Sequence, residues 1–126
     1  MTKPQHAVRV DVRTEYLPGQ SDPAQQRWVF AYHITLINEG TERVKLLTRH
    51  WVITDGNERV QEVHGEGVIG EQPSLAPGEH YSYTSGTILE TEVGTMQGSY
   101  QMISESGDHF DAPIAPFTLA VPRAIH

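Results

Sequence analysis

The chain has no cysteine. That absence excludes disulfides, thiol nucleophiles, thiolate zinc sites and iron–sulfur clusters. Long apolar runs are missing too. The longest, Trp28 to Tyr32, falls far short of the roughly 20 residues that a membrane-spanning helix needs. Residues 1–10 lack the apolar core of a signal peptide, so the expected compartment is the cytoplasm. A third absence concerns one sign of charge. Between Val60 and Pro122 there are nine acidic residues and no Lys or Arg, whereas residues 1–59 hold eight basic and seven acidic ones. With a net charge of −7, the chain offers no basic footprint for nucleic acid, whose phosphates are neutralised by Lys and Arg. An anionic membrane surface is disfavoured for the same reason. Such an acidic half attracts a basic protein patch or hydrated cations, and its plainest consequence is a soluble monomer.

What is present is period-two alternation, with no helical stripe. The 126 residues suit one domain spanning residues 1–126. Val8, Val10 and Val12 alternate with Arg9, Asp11 and Arg13, which makes a first strand with one buried face. A second, from Arg27 to Ile37, is apolar on both faces and reads as a central strand. The third, Val44 to Thr54, carries Leu47, Trp51 and Ile53 on alternate positions. Asp55-Gly56 is a hairpin signal, followed by a return strand from Glu58 to about His64. Further strands span His80 to Thr87, Met96 to Ile103 and His109 to Leu119. Pro113 and Pro116 assign the last one to a sheet edge or a bulge, since proline cannot donate to a ladder. The fold class is therefore all-β: an antiparallel sandwich of about 7–8 strands, fibronectin type III or immunoglobulin-like. Leu75, Pro77 and Tyr81 have the pattern of the corner at which such sandwiches cross between sheets, with the tyrosine hydroxyl expected to bond back to the corner backbone. Pro77-Gly78 suits a type II turn.

Few residues suggest chemistry. Gly65, Gly67 and Gly70 spell G-x-G-x-x-G, but Pro73 and Pro77 forbid the helix that a dinucleotide fold places after it. Two readings remain for the glycines. They permit positive φ or close backbone approach, or they form a loop nest whose amides face an anion, with Arg49 or His64 beside them. His64 with Glu66, and His109 with Asp111, are i,i+2 pairs that share a strand face and could each offer two metal ligands. No established metal motif accompanies them, and no metal site or cofactor is expected. The hydroxyl-rich run Tyr81 to Thr87 lacks a nucleophile elbow, and Glu90 with Glu92 show no burial that would split their pKa values. No catalytic set emerges. In Arg49-His50-Trp51, Trp51 reads as the core tryptophan, and Arg49 on the same face would direct its head toward a carboxylate or a ligand.

Several blocks together resemble one family. They are Arg49-His50-Trp51-x-Ile53-Thr54-Asp55; Gly65 through Pro73; Leu75-x-Pro77-Gly78-Glu79; Tyr83-Thr84-Ser85-Gly86; Gly94-Thr95-Met96-x-Gly98-x-Tyr100; and Phe110, Ile114 and Phe117. They are similar to the bacterial ApaG family, also called CorD, over essentially the whole chain; the largest departure is Ile69 in place of Val. The resemblance implies a fibronectin type III-like sandwich with no established reaction. It implies an association with cobalt resistance and magnesium efflux, and a gene neighbour encoding a diadenosine tetraphosphate hydrolase. Similar domains in eukaryotic F-box proteins and a DNA-polymerase-interacting protein look like protein-interaction modules. The expected function is thus a non-catalytic module for an unidentified protein partner. The alternative is a sensor that takes a nucleotide polyphosphate or divalent cation at the Gly65–Gly70 loop.

Overall fold

The computed structural model describes residues 6–122; residues 1–5, within the stretch read for a leader, and Arg123 lie outside it. Eight antiparallel strands form two sheets: β1 (Val8–Tyr16), β2 (Trp28–Asn38), β3 (Val44–Asp55), β4 (Val60–Glu66), β5 (Ser74–Leu75), β6 (His80–Leu89), β7 (Val93–Ser104) and β8 (His109–Ala120). One sheet runs β1-β2-β6 and the other β4-β3-β7-β8, with the two-residue β5 paired to the start of β3. This is a fibronectin type III-like sandwich. β2 is the central strand of its sheet, and Phe30, Tyr32, Ile34 and Leu36 all point into the core from it. β8 is an edge, and its register with β7 shifts between Met96 and Gly98, opposite the segment that contains Pro116. Both features answer the missing proline amides.

Trp51 is buried at the centre, with Tyr32, Tyr100 and Phe117 arranged around it edge to face. Such pairing sets the positive ring edge against the negative face. One expectation is corrected here. Leu47 does not share the core face with Trp51, because β3 bulges between Leu46 and Thr48. The extra residue resets the alternation, so Leu46 is fully buried and Leu47 only half so. The bulge has a consequence for the neighbouring loop. The freed carbonyl of Leu47 accepts the Gly67 amide and the Gln72 side-chain amide, both at 2.9 Å.

The inter-sheet corner also differs. Ala76 to Glu79 is closed by a Glu79 N–H bond to Ala76 O with Gly78 at φ +85°, as a type II turn requires. Tyr81, however, makes no hydrogen bond to the corner among the described residues. Asn38 does that work instead. Fully buried, it donates to the carbonyls of Glu42 (2.7 Å) and Leu75 (2.9 Å) and accepts from the Gly40 amide (2.9 Å). An amide side chain offers two N–H donors beside its carbonyl acceptor, whereas a phenol has a single O–H to donate.

Candidate functional site

The two flanks of the sandwich are unlike. On one, β1 packs beside β8 and closes the core. On the other, β4 and β6 are the edges of different sheets and do not pair with each other. The β4–β6 flank holds two openings. The first, about 250 Å³, lies over the core between Arg49, Trp51, Tyr83, Ser85 and the Ile69-Gly70 turn. The second, about 200 Å³, lies at the other end between Ile53, Val60 and Ile88.

The glycine loop forms the rim of the first opening. Each glycine of the motif has a separate task. A Cβ on Gly65 would come within 2.7 Å of the Arg49 guanidinium carbon and both its terminal nitrogens, so the guanidinium lies flat where a side chain would be. A Cβ on Gly67 would meet the Glu71 carbonyl oxygen at 2.2 Å, and its φ is +60°. Gly70, at φ +75°, is the second residue of a tight turn whose first residue is Ile69 at φ +50°. Val68 and Glu71 exchange both backbone hydrogen bonds, at 2.8 and 3.0 Å, which closes a two-residue hairpin of the primed type. Loop amides are mostly committed: Gly67 to Leu47, Val68 to Glu71, and Glu71 to Val68. Those of Ile69 and Gly70 make no backbone hydrogen bond among the described residues.

Arg49 reaches this rim from the core face of β3. Its Nη1 donates to the carbonyls of Glu66 (3.0 Å) and Gly67 (2.9 Å). Among the described residues no carboxylate pairs with its guanidinium. Beneath it, the hydroxyls of Tyr83 and Tyr100 share a 2.5 Å hydrogen bond. Burial drives both phenols well above the ordinary tyrosine range, and the neighbouring Arg49 charge pulls weakly the other way. Burial wins, so both stay protonated at neutral pH and neither is poised as a base or nucleophile.

His64 is not part of this arrangement. The β3–β4 register pairs Arg49 with Gly65 and His50 with His64, so Arg49 and His64 occupy opposite faces of one sheet. On the outer face His64 stacks on His50, with ring centroids 4.1 Å apart and planes at 7°. His50 Nε2 lies 2.9 Å from Glu62 Oε1. The pairing depends on the length of the hairpin turn that Asp55-Gly56 marks. Asp55 N–H bonds to Arg59 O across three residues, and the positive φ belongs to Glu58 (+63°) rather than Gly56. A three-residue loop shifts the return strand relative to the two-residue turn that Asp55-Gly56 suggests. A wider polar trough, about 410 Å³, crosses the outer face of β1-β2-β6. Its histidine, His33, is already engaged with Thr84 and Glu15.

Comparison with known proteins adds the lineage. The profile of the ApaG domain matches residues 18–104. A Protein ApaG from Aromatoleum aromaticum is 60% identical over 121 residues, covering 96% of this chain and 95% of that one. The chain belongs to the ApaG family. A Protein ApaG from Azotobacter vinelandii is 58% identical over the full length of both chains. Among solved structures, the putative ApaA protein from Bordetella pertussis superposes with a TM-score of 0.93 at 52% identity, covering 98% of this chain and 99% of that one. The C-terminal domain of wzt, at 10% identity and a TM-score of 0.54 over 94% of this chain and 81% of that one, shares the fold alone. Within the ApaG framework, the site that the glycine motif builds is a rim of backbone and one arginine at an open sandwich flank.

Proposed function

We propose that this ApaG-family protein is a non-catalytic binding module that acts in the cytoplasm by docking a protein partner on the β4–β6 flank. One observation carries the reading. The exposed large hydrophobic residues among those described are Val60 (62% exposed), Ile69 (59%) and Ile88 (46%), and all three lie on this flank. Ile69 is also held at positive φ, which for a β-branched residue costs on the order of 1–2 kcal/mol. Two unpaired strand edges border the same surface, ready to accept an extended segment. Asp55, Glu66 and Glu90 line the two openings against Arg49 and Arg59, a net negative lining that favours a basic partner. The family's association with cobalt resistance and magnesium efflux would then act through that partner. Photo-crosslinking residues placed at Val60, Ile69 and Ile88 in cells should all trap the same protein, while one at Arg13 on β1 traps nothing. Val60→Asp with Ile88→Asp should abolish the adduct from Ile69. Equal trapping at Arg13, or none at the flank, would sink the reading.

A second reading has its own support: the Arg49 guanidinium lacks a carboxylate and borders an opening with two uncommitted amides. An anionic group such as a nucleotide polyphosphate would sit there. Titration of the ¹⁵N-labelled protein with inorganic tripolyphosphate should shift Gly67 to Glu71 saturably, and Arg49→Ala should remove the shifts. Shifts that persist in Arg49→Ala would exclude this site.

A further inference from the structure

The outer face of β4-β3 carries a cluster that neither the glycine rim nor the docking flank uses. His50 and His64 stand directly opposite each other in the register, and Glu62 precedes His64 by two residues on the same strand face. Each of the three offers a ligand atom, and these atoms all lie within 4.8 Å of one another. We infer that His50, Glu62 and His64 form a binding site for a divalent transition metal of the zinc type.

The argument rests on geometry and donor chemistry. Residues opposed across antiparallel strands have Cβ atoms about 4.5–5.5 Å apart, a span that two imidazoles can close onto one ion. With bonds of about 2.0–2.1 Å, tetrahedral ligands sit about 3.4 Å from one another. The three side chains are half-buried or exposed, so they have room for the χ rotations that bring their atoms to that spacing. The existing His50–Glu62 contact at 2.9 Å already draws two of the three ligands together. Parallel rings keep their in-plane lone pairs parallel, so binding opens the stack: one imidazole tilts until both nitrogens aim at the same ion.

Charge points the same way. Between Val60 and Pro122 no Lys or Arg is present to compete, and Arg49 is committed to the opposite face. Two imidazoles and one carboxylate suit zinc, nickel, cobalt(II) or copper(II), and they are the wrong set for magnesium, which prefers oxygen. The sequence pairs His64–Glu66 and His109–Asp111 are not the groups that converge; the cross-strand neighbour His50 replaces Glu66.

Zn²⁺ titrated into the ¹⁵N-labelled whole chain, read at the imidazole nitrogens and by calorimetry, tests this. Saturable shifts are expected at His50 and His64 together, with His33 unmoved. His64→Gln and His50→Ala should each weaken this binding at least about tenfold, and Glu62→Gln should weaken it measurably. Mg²⁺ should leave both imidazoles unchanged. Thermal unfolding of each variant checks that it folds, and the exposed His64 keeps the test usable should His50→Ala prove unstable. Zinc shifts confined to His6, which lies near Glu42 and Asp108, would overturn the assignment. So would affinity unchanged in both histidine variants, or absence of saturable imidazole shifts.

Discussion

Gly65 and Arg49 are coupled in a way that a double-mutant cycle can read. Adding a Cβ at Gly65 places it 2.7 Å from three atoms of the guanidinium, closer than real Cβ contacts come, so Arg49 must swing away. The swing breaks its bonds to the Glu66 and Gly67 carbonyls. A hydrogen bond from a charged group contributes about 1.5–3 kcal/mol, and partial exposure brings the two together to about 2 kcal/mol. Against this, alanine in a strand gains about 0.5–1 kcal/mol over glycine, because less chain entropy is lost. Gly65→Ala alone should therefore destabilise by about 1–1.5 kcal/mol. In an Arg49→Ala background there is no guanidinium to displace. The same change should then stabilise by about 0.5–1 kcal/mol. The sign of the Gly65→Ala effect reverses, and the coupling is about 2 kcal/mol. Urea unfolding of the four proteins, with slopes that stay equal, measures it. Additivity within about 0.5 kcal/mol would refute the stacked geometry and, with it, the claim that Gly65 exists to seat Arg49.

Three further outcomes follow from the packing. Gly98→Ala would drive a Cβ to within 1.9 Å of the His50 carbonyl oxygen in the β3–β7 ladder, so a loss above about 3 kcal/mol is expected, whereas Gly19→Ala, with nothing within 4 Å, should stay within about 0.5 kcal/mol by thermal unfolding. Asn38→Ala leaves one buried and one part-buried carbonyl and one buried amide without their partner and should cost about 3 kcal/mol in urea unfolding. Tyr83 and Tyr100 have folded pKa values raised by burial, so their contribution is complete below the unfolded phenol value of about 10 and is lost as pH rises beyond it. Stability should fall above about pH 10 by up to roughly 1.4 kcal/mol per unit for each phenol, and a Tyr83→Phe, Tyr100→Phe protein should show a shallower decline when unfolding is followed against pH.

The strands were legible because alternation is local. Val8, Val10 and Val12 can bury one face only as a strand, and the doubly apolar β2 suits only the middle of a sheet. The prolines of β8 announced an edge through chemistry that each carries in its own ring. Where reading failed, the cause lay in register. The bulge at Leu47 reverses which β3 residues face the core, and no local pattern marks it. The hairpin signal at Asp55-Gly56 found the turn but not its length, and that length decides whether His50 meets His64. Tyr81 fitted the corner pattern, yet Asn38, from a different part of the chain, holds the corner.

The candidate sites divide along the same line. Gly65, Gly67, Gly70, Arg49 and His64 were all visible as residue types, and the motif residues do cluster at one rim. Their sorting onto two faces was not visible, because adjacent residues of a strand point in opposite directions only once the strand and its register exist. Sequence alone determined the class of the fold, the turns that need glycine or proline, and the acidic second half, since each rests on properties of single residues or near neighbours. Tertiary structure alone decided that Arg49 lies on Gly65, that Val60, Ile69 and Ile88 share one open flank, and that His50 joins His64 and Glu62. Those facts depend on which strands become neighbours and in what register, and a one-residue shift in either would have moved every side chain concerned to the other face.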